Sequence, residues 1–251
     1  MYPGKNQIMK SLYQNILNLK KLNQKLLAIL LDPDKIDLKN IEFLMSKINQ
    51  SPATHIFIGG SEVKSTAINE LIHSVKQNCQ LPTVLFPGNP SQIAQNADAI
   101  LFLSLISGRN PDYLIEHQVN AIPFLLNSNL EIIPTGYILI ESDTKTAVER
   151  VSKTKPIDRN NIELVVQTAL AGEYLGKKMI YLEAGSGANL AVPLEIIQKV
   201  AKAISIPLIV GGGIRSKKAI ENAYVAGADL VVIGTAFEND LDFFNNFELN
   251  S

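Results

Sequence analysis

A single cysteine, Cys79, in 251 residues rules out an intramolecular disulfide and with it any cross-linked framework. Excess charge of either sign is also missing. Lysines and arginines number 23 against 24 aspartates and glutamates, a formal net charge of -1, so no strong field draws nucleic acid to this chain. Long hydrophobic runs are absent too: stretches such as Leu26 to Leu31 or Leu230 to Ile233 fall far short of the roughly 18 residues that crossing a bilayer requires. The N-terminus shows neither the apolar core nor the small-residue cleavage site of a signal peptide, and the expectation is a cytoplasmic protein. The histidines, His55, His73 and His117, have no metal-ligand spacing and no serine or cysteine nucleophile motif beside them.

What the chain does have is the composition of a packed globular domain, 46% hydrophobic and 19% charged. Strand-like apolar runs recur at Leu26–Leu31, His55–Ile58, Thr83–Phe86, Ala99–Leu103, Ile138–Ile140, Met179–Leu182, Pro207–Val210 and Leu230–Ile233. Amphipathic stretches separate them, as in Leu38–Ile48, where Ile41, Leu44, Met45 and Ile48 share one helical face. This alternation predicts parallel βαβ units in an α/β fold, a single (β/α)8 TIM barrel over residues 1–251. Two connections are irregular: about a dozen residues join the third and fourth runs, and the next connection carries Pro111, Pro123 and Pro134. A barrel open on that side is one expectation, and an open, doubly wound sheet is the alternative fold, although eight parallel strands with glycine-rich exits at the seventh and eighth favour closure. Met1–Asn23 reads as an N-terminal helix laid against the barrel and Phe237–Ser251 as a short closing segment.

Most runs end in loop-forming residues, and there the chemistry concentrates. Gly211-Gly212-Gly213-Ile214-Arg215-Ser216 joins a buried strand to a helix beginning near Lys217, and Gly234-Thr235 follows the eighth run. Glycines let backbone N–H groups approach a phosphate, and loops seven and eight are where barrels commonly hold one. The plainer reading is tight turns, with Ser216 as an N-cap. In Tyr181-Leu182-Glu183-Ala184-Gly185-Ser186-Gly187, strand periodicity turns Tyr181 and Glu183 inward and Leu182 toward the helices. A carboxylate so placed needs a hydroxyl, a cation or a titration role, or else a structural hydrogen bond to a backbone amide. Asp32 and Asp34 flank Pro33 and suit Mg²⁺, or a turn in which Asp34 or Asp37 caps the next helix. Ser61 has the same two readings, metal or diphosphate contact against a helix cap at Glu62.

Together, Leu30-Leu31-Asp32-Pro33-Asp34-Lys35, Phe57-Ile58-Gly59-Gly60-Ser61, the Tyr181–Gly187 segment, Gly211-Gly212-Gly213-Ile214-Arg215 and Gly234-Thr235 resemble the geranylgeranylglyceryl phosphate synthase family, which includes the PcrB-type enzymes. The resemblance runs from Asp32 to Thr235 in order. It implies transfer of a polyprenyl group from its diphosphate to the primary hydroxyl of sn-glycerol 1-phosphate, giving an ether-lipid precursor and diphosphate. Carried over, it gives Asp32 and Ser61 to Mg²⁺ and the diphosphate. Tyr181, Leu182, Glu183, Ala184, Gly185, Ser186, Gly187, Gly212, Gly213, Gly234 and Thr235 would hold glycerol phosphate, with Glu183 as the proton acceptor. The DDxxD pattern of helical prenyltransferases is absent, in keeping with a different fold. Ile100 to Ile106, with Tyr113 and Phe124, could wall part of a prenyl groove, or equally an ordinary core. The resemblance further implies homo-oligomers, and the lipid donor implies contact with a membrane surface. Geranylgeranyl diphosphate is the expected donor and heptaprenyl diphosphate the alternative. Other phosphate-binding barrels, an isomerase or lyase using Lys35, and a non-catalytic phosphate-binding scaffold are the competing readings.

Overall fold

The computed structural model describes residues 11–60, 65–245 and 247. Eight strands, β1 (Leu26–Leu31), β2 (His55–Ile58), β3 (Thr83–Leu85), β4 (Ala99–Leu105), β5 (Glu131–Leu139), β6 (Met179–Glu183), β7 (Leu208–Gly211) and β8 (Leu230–Ile233), form a closed barrel in chain order. All neighbours are parallel, and β8 returns to β1 with Val232 beside Ala28. The sheet therefore has no free edge strand, and the open alternative is excluded. Around it run α1 (Leu12–Lys21), α2 (Ile41–Asn49), α3 (Ser65–Asn78), α4 (His117–Leu126), α5 (Ala147–Ser152), α6 (Ile162–Tyr174), α7 (Leu194–Ala203), α8 (Lys217–Ala226) and α9 (Thr235–Asn239).

Period-two alternation sorts each strand into two cores. Leu27, Ile29 and Leu31 of β1, with Leu182 of β6, pack outward against the helices; Leu26 and Ala28, with Tyr181, fill the barrel. The expected face of α2 is the buried one: Ile41, Leu44, Met45 and Ile48 all lie in the outer core. Helix α1 closes the bottom of the barrel, its Leu12 and Ile16 joining the inner cluster that contains Leu26, Ile133 and Leu230. Both of its ends are tied down. The Glu131 carboxylate of β5 accepts from the Leu12 and Tyr13 amides, and Lys20 pairs with Asp229 at 2.7 Å. These contacts set charge against the helix dipole at each end.

The irregular side is where expected. Only a 3₁₀ turn, Pro90–Gln92, stands between β3 and β4, and their ladder is two pairs long, Val84 with Ala99 and Leu85 with Ile100. Beyond Ile100, β4 has lost its β3 neighbour while still pairing with β5 as far as Leu105 and Tyr137. A π-helical turn, Asp112–Glu116, then leads into α4, which carries Pro123 inside it. Strand β5 corrects the sequence reading, since it begins at Glu131 rather than Ile138. Pro134 had argued for a loop, yet it precedes the first β5–β6 pair, Thr135 with Met179, and offers that side only its carbonyl, to the Lys178 amide at 2.7 Å. Its missing N–H therefore removes no ladder bond.

One polar group inside the barrel does no evident work there. His55 is in register with inward-facing Ala28; its Nδ1 lies 2.8 Å from Thr54 Oγ1, and Nε2 has no partner. Burial pushes its pKa down from 6.5 to about 4. The unfolded chain therefore takes up this proton first, and stability falls as pH drops from about 6.5 toward 4. His55→Leu should recover about 2 kcal/mol of the stability lost between pH 8 and pH 5. Denaturant titrations of both proteins at the two pH values check this; an unchanged acid loss would assign it elsewhere.

Candidate active site

The C-terminal ends of the strands surround a cavity of about 210 Å³. Its centre is Glu183, the last residue of β6, 5% exposed, whose Oε1 accepts the Gly185 amide at 2.7 Å. Burial pushes this carboxyl up from 4.5 to about 7, because a charge withdrawn from water loses hydration that two local groups only partly replace. Those groups are the Gly185 amide and the nearby Tyr181 hydroxyl, whose geometry falls short of a hydrogen bond. Phe86, Tyr137 and Tyr181 make an aromatic floor, with ring centroids 5.2 to 5.9 Å apart. Burial first, and the Glu183 charge second, push both tyrosine hydroxyls up, so they remain protonated donors.

Glycines are needed where β7 passes this carboxylate. A Cβ on Gly212 would lie 2.1 Å from Glu183 Oε1, and one on Gly213 would lie 2.7 Å from the Leu190 carbonyl oxygen and the Ala191 amide. Both residues have positive φ, +78° and +68°. Conformation and space thus agree on glycine. Ser216 caps α8 through the Ala219 amide, so its hydroxyl has the helix-capping role, and Arg215 reaches back to the Gly187 carbonyl at 2.8 Å.

Most of the residues singled out in the sequence meet here. Asp32, Tyr181, Glu183, Ser186, Gly187, Gly212, Gly213, Gly234 and Thr235 line the one cavity. Leu182 and Ala184 do not; they are packed into the outer core, as alternation requires for Leu182. Gly185 stands behind Glu183, against Thr146. Ser61 lies outside the described residues. Asp34 is exposed, its amide donating to Asp32 Oδ1 at 3.2 Å, and it is Asp37 that caps the following turn through the Lys39 amide. Lys35 is hydrogen-bonded to Glu238 at 2.9 Å and lies 3.8 Å from Asp32, an arrangement that suits an ion-pair partner rather than the amine of an isomerase or lyase.

The cavity extends from this polar end into an apolar groove. Ile100, Leu101, Phe102, Leu103 and Leu105 line it together with Ile93 and Ala121. Side chains from both faces of β4 line it, and beyond Ile100 no β3 neighbour covers the strand, so the shortened third connection shapes the groove. Tyr113 lines it as expected; Phe124 does not, being 47% exposed on α4. Sequence reasoning missed Phe86, Tyr137 and Thr146. Tyr137 was legible only once β5 was started early enough, and Thr146 had a signal in the capping pattern Thr146-x-x-Glu149.

Gly212→Ala should reduce turnover at least tenfold through displacement of Glu183, consistent with strain of about 1–3 kcal/mol at a positive φ. Steady-state kinetics with the purified variant, folded by circular dichroism, is the check; near-normal turnover would mean that Glu183 has room to move.

A model of the PcrB family matches residues 20–248. A geranylgeranylglyceryl phosphate synthase of Flavobacterium johnsoniae is 63% identical over 240 residues, covering 96% of this chain and 99% of its own. A protein of the same name from Zunongwangia profunda is 52% identical and covers 92% of this chain and 98% of its own. Among solved structures, (S)-3-O-geranylgeranylglyceryl phosphate synthase of Thermoplasma acidophilum, in complex with its substrate sn-glycerol-1-phosphate, matches with a TM-score of 0.88 at 32% identity, covering 94% of this chain and 95% of its own. With the same barrel, and with likeness running along nearly the whole sequence, the chain belongs to the PcrB family.

Proposed function

We propose that the protein transfers a geranylgeranyl group from geranylgeranyl diphosphate to the primary hydroxyl of sn-glycerol 1-phosphate, forming an ether and releasing diphosphate. The observation that carries this is a single cavity joining a buried carboxylate and glycine-lined strand ends to an apolar groove. Relatives named for geranylgeranyl transfer at up to 63% identity favour that donor over a heptaprenyl one.

The glycerol phosphate sits at the loops after β6, β7 and β8, where Ser186, Gly187, Gly212, Gly213, Gly234 and Thr235 offer close backbone approach and hydroxyl donors. Glu183 accepts the proton of the attacking hydroxyl. A carboxyl raised to about 7 suits that task near neutral pH, being partly ionised and yet basic enough to take a proton. The prenyl chain lies along Ile100, Phe102, Ile93 and Ala121, and its first carbons lie over Phe86 and Tyr137.

Asp32 is the residue that would hold Mg²⁺. Its carboxylate lines the cavity, is partly exposed, and is met by Lys35 only at 3.8 Å, leaving oxygen free for a hard cation. No group of three or more acidic, histidine or cysteine side chains able to hold a metal occurs among the described residues, so diphosphate oxygens and water would complete the shell. Mg²⁺ bound there would offset the charge that develops on the departing diphosphate. Asp32 for its part orders the turn, through the Asp34 amide.

Self-assembly and membrane contact belong to the same reading. Ile115 of the π-helical turn and Val119, Ile122 and Leu126 of α4 are exposed, an apolar stripe that supports assembly with a second copy. No helix among the described residues is long and apolar enough to cross a membrane, and the lipid donor is collected at the surface of one by a cytoplasmic protein.

Purified protein incubated with Mg²⁺, labelled sn-glycerol 1-phosphate and, separately, geranylgeranyl and heptaprenyl diphosphates should yield an extractable labelled ether, more with the shorter donor. No product with either donor would reject prenyl transfer. Glu183→Gln should lower kcat by roughly 10²–10⁴-fold with glycerol phosphate affinity retained. Wild-type kcat/KM should rise with pH through about 7, since the base works deprotonated, and a flat profile would remove Glu183 from that role.

A further inference from the structure

Two anionic substrates, one a monophosphate and the other a diphosphate, must share a cavity whose described lining contains three carboxylates, Asp32, Glu183 and Glu238. Only two lysine or arginine side chains face them among the described residues, Lys35 and Arg215. Arg215 stands on the glycine side, held by the Gly187 carbonyl at 2.8 Å. Lys35 stands past the end of β1, beside Asp32. Its ammonium is 2.9 Å from Glu238 Oε2 and 3.8 Å from Asp32 Oδ2, and its side chain is 46% exposed.

We propose that Lys35 is a diphosphate-binding residue, and that Glu238 positions it. This rests on the prenyl-transfer reading above and adds a contact to it. An ammonium has three N–H donors in a flexible arrangement, of which the close Glu238 contact takes one. The 3.8 Å separation from Asp32 is too long for a hydrogen bond, so the remaining donors are available to an anion on the cavity side. A divalent cation on Asp32 would repel the neighbouring ammonium and favour its move toward the diphosphate oxygens. Lys35 would then contact the leaving group beside Asp32, the residue that would hold the cation. Glu238 comes from α9, directly after the Gly234-Thr235 exit of β8, and it anchors the end of the lysine without filling the cavity. Its negative charge also weakens anion binding, which separates its effect in sign from that of Lys35.

The test is calorimetric binding of inorganic pyrophosphate with Mg²⁺, and of sn-glycerol 1-phosphate separately, to the wild type and to Lys35→Met, Lys35→Arg and Glu238→Gln. Lys35→Met should weaken pyrophosphate binding about 10–30-fold, the loss of one charge-assisted contact, and leave glycerol phosphate affinity within about twofold. Lys35→Arg should restore most of the loss. Glu238→Gln should hold or tighten pyrophosphate binding, whereas a pair that merely braces α9 would leave pyrophosphate affinity unmoved in every variant. Wild-type affinity for pyrophosphate in Lys35→Met, or equal loss of both ligands, would overturn the assignment while the wild type still makes ether lipid. Absence of ether lipid from the wild type would instead sink the prenyl-transfer reading, and this inference with it.

Discussion

A carboxylate held out of water is the constraint around which the upper half of the barrel is arranged. Raising Glu183 from 4.5 to about 7 costs roughly 3 kcal/mol of folding stability at a pH where the group is ionised, at 1.36 kcal/mol per unit. The sign follows from the direction: the folded state holds this proton more tightly, so the cost appears as pH rises from about 4.5 to 7. The neighbourhood offers one backbone amide as partial compensation, and that amide can approach because Gly212 brings no Cβ into the same space. Two tyrosines kept neutral and one phenylalanine exclude water below it. The protein tolerates an unfavourable burial at one position because large apolar cores inside and outside the barrel stabilise the rest of it.

The apolar half of the cavity has a different origin, in an element that is missing. A standard barrel would cover β3 and β4 with a helix; here a 3₁₀ turn replaces it and β3 stops after Leu85. The same shortage of residues that makes the third connection irregular frees the edge of β4 and lets side chains of both its faces reach one groove. The exposed edge is not left wholly unpaired. Gln118 of the following helix donates its side-chain amide to the Leu103 carbonyl, so a backbone acceptor that has lost its strand partner is still satisfied.

How much of this could be read from residues alone depended on whether the signal was local. Strands β1, β2 and β8 begin and end where the apolar runs do, because buried parallel strands are nearly continuous in apolar character and close on Asp-Pro or glycine. Strand β5 was read seven residues short at its start because Pro134 and Glu131 look like loop residues; one sits just outside a ladder and the other caps α1. That error hid Tyr137. Strand alternation turns Leu182 of the Tyr181–Gly187 motif toward the helices, and it lies there; only the resemblance assigns the whole segment to glycerol phosphate. The pairing of Lys35 with Glu238 joins residues 203 apart, and no pattern along the chain marks it.

Helix α1 carries a consequence for how the molecule is made. It leaves the ribosome before any strand of the barrel, yet the seat it occupies is built from Glu131 of β5, Asp229 at the start of β8 and the inner side chains Ile133 and Leu230. During synthesis its apolar face has nowhere to dock until nearly the last strand has emerged. Sealing the bottom of the barrel and joining β8 to β1 are therefore one late, long-range event, and a helix made before all eight strands is among the last elements to be secured.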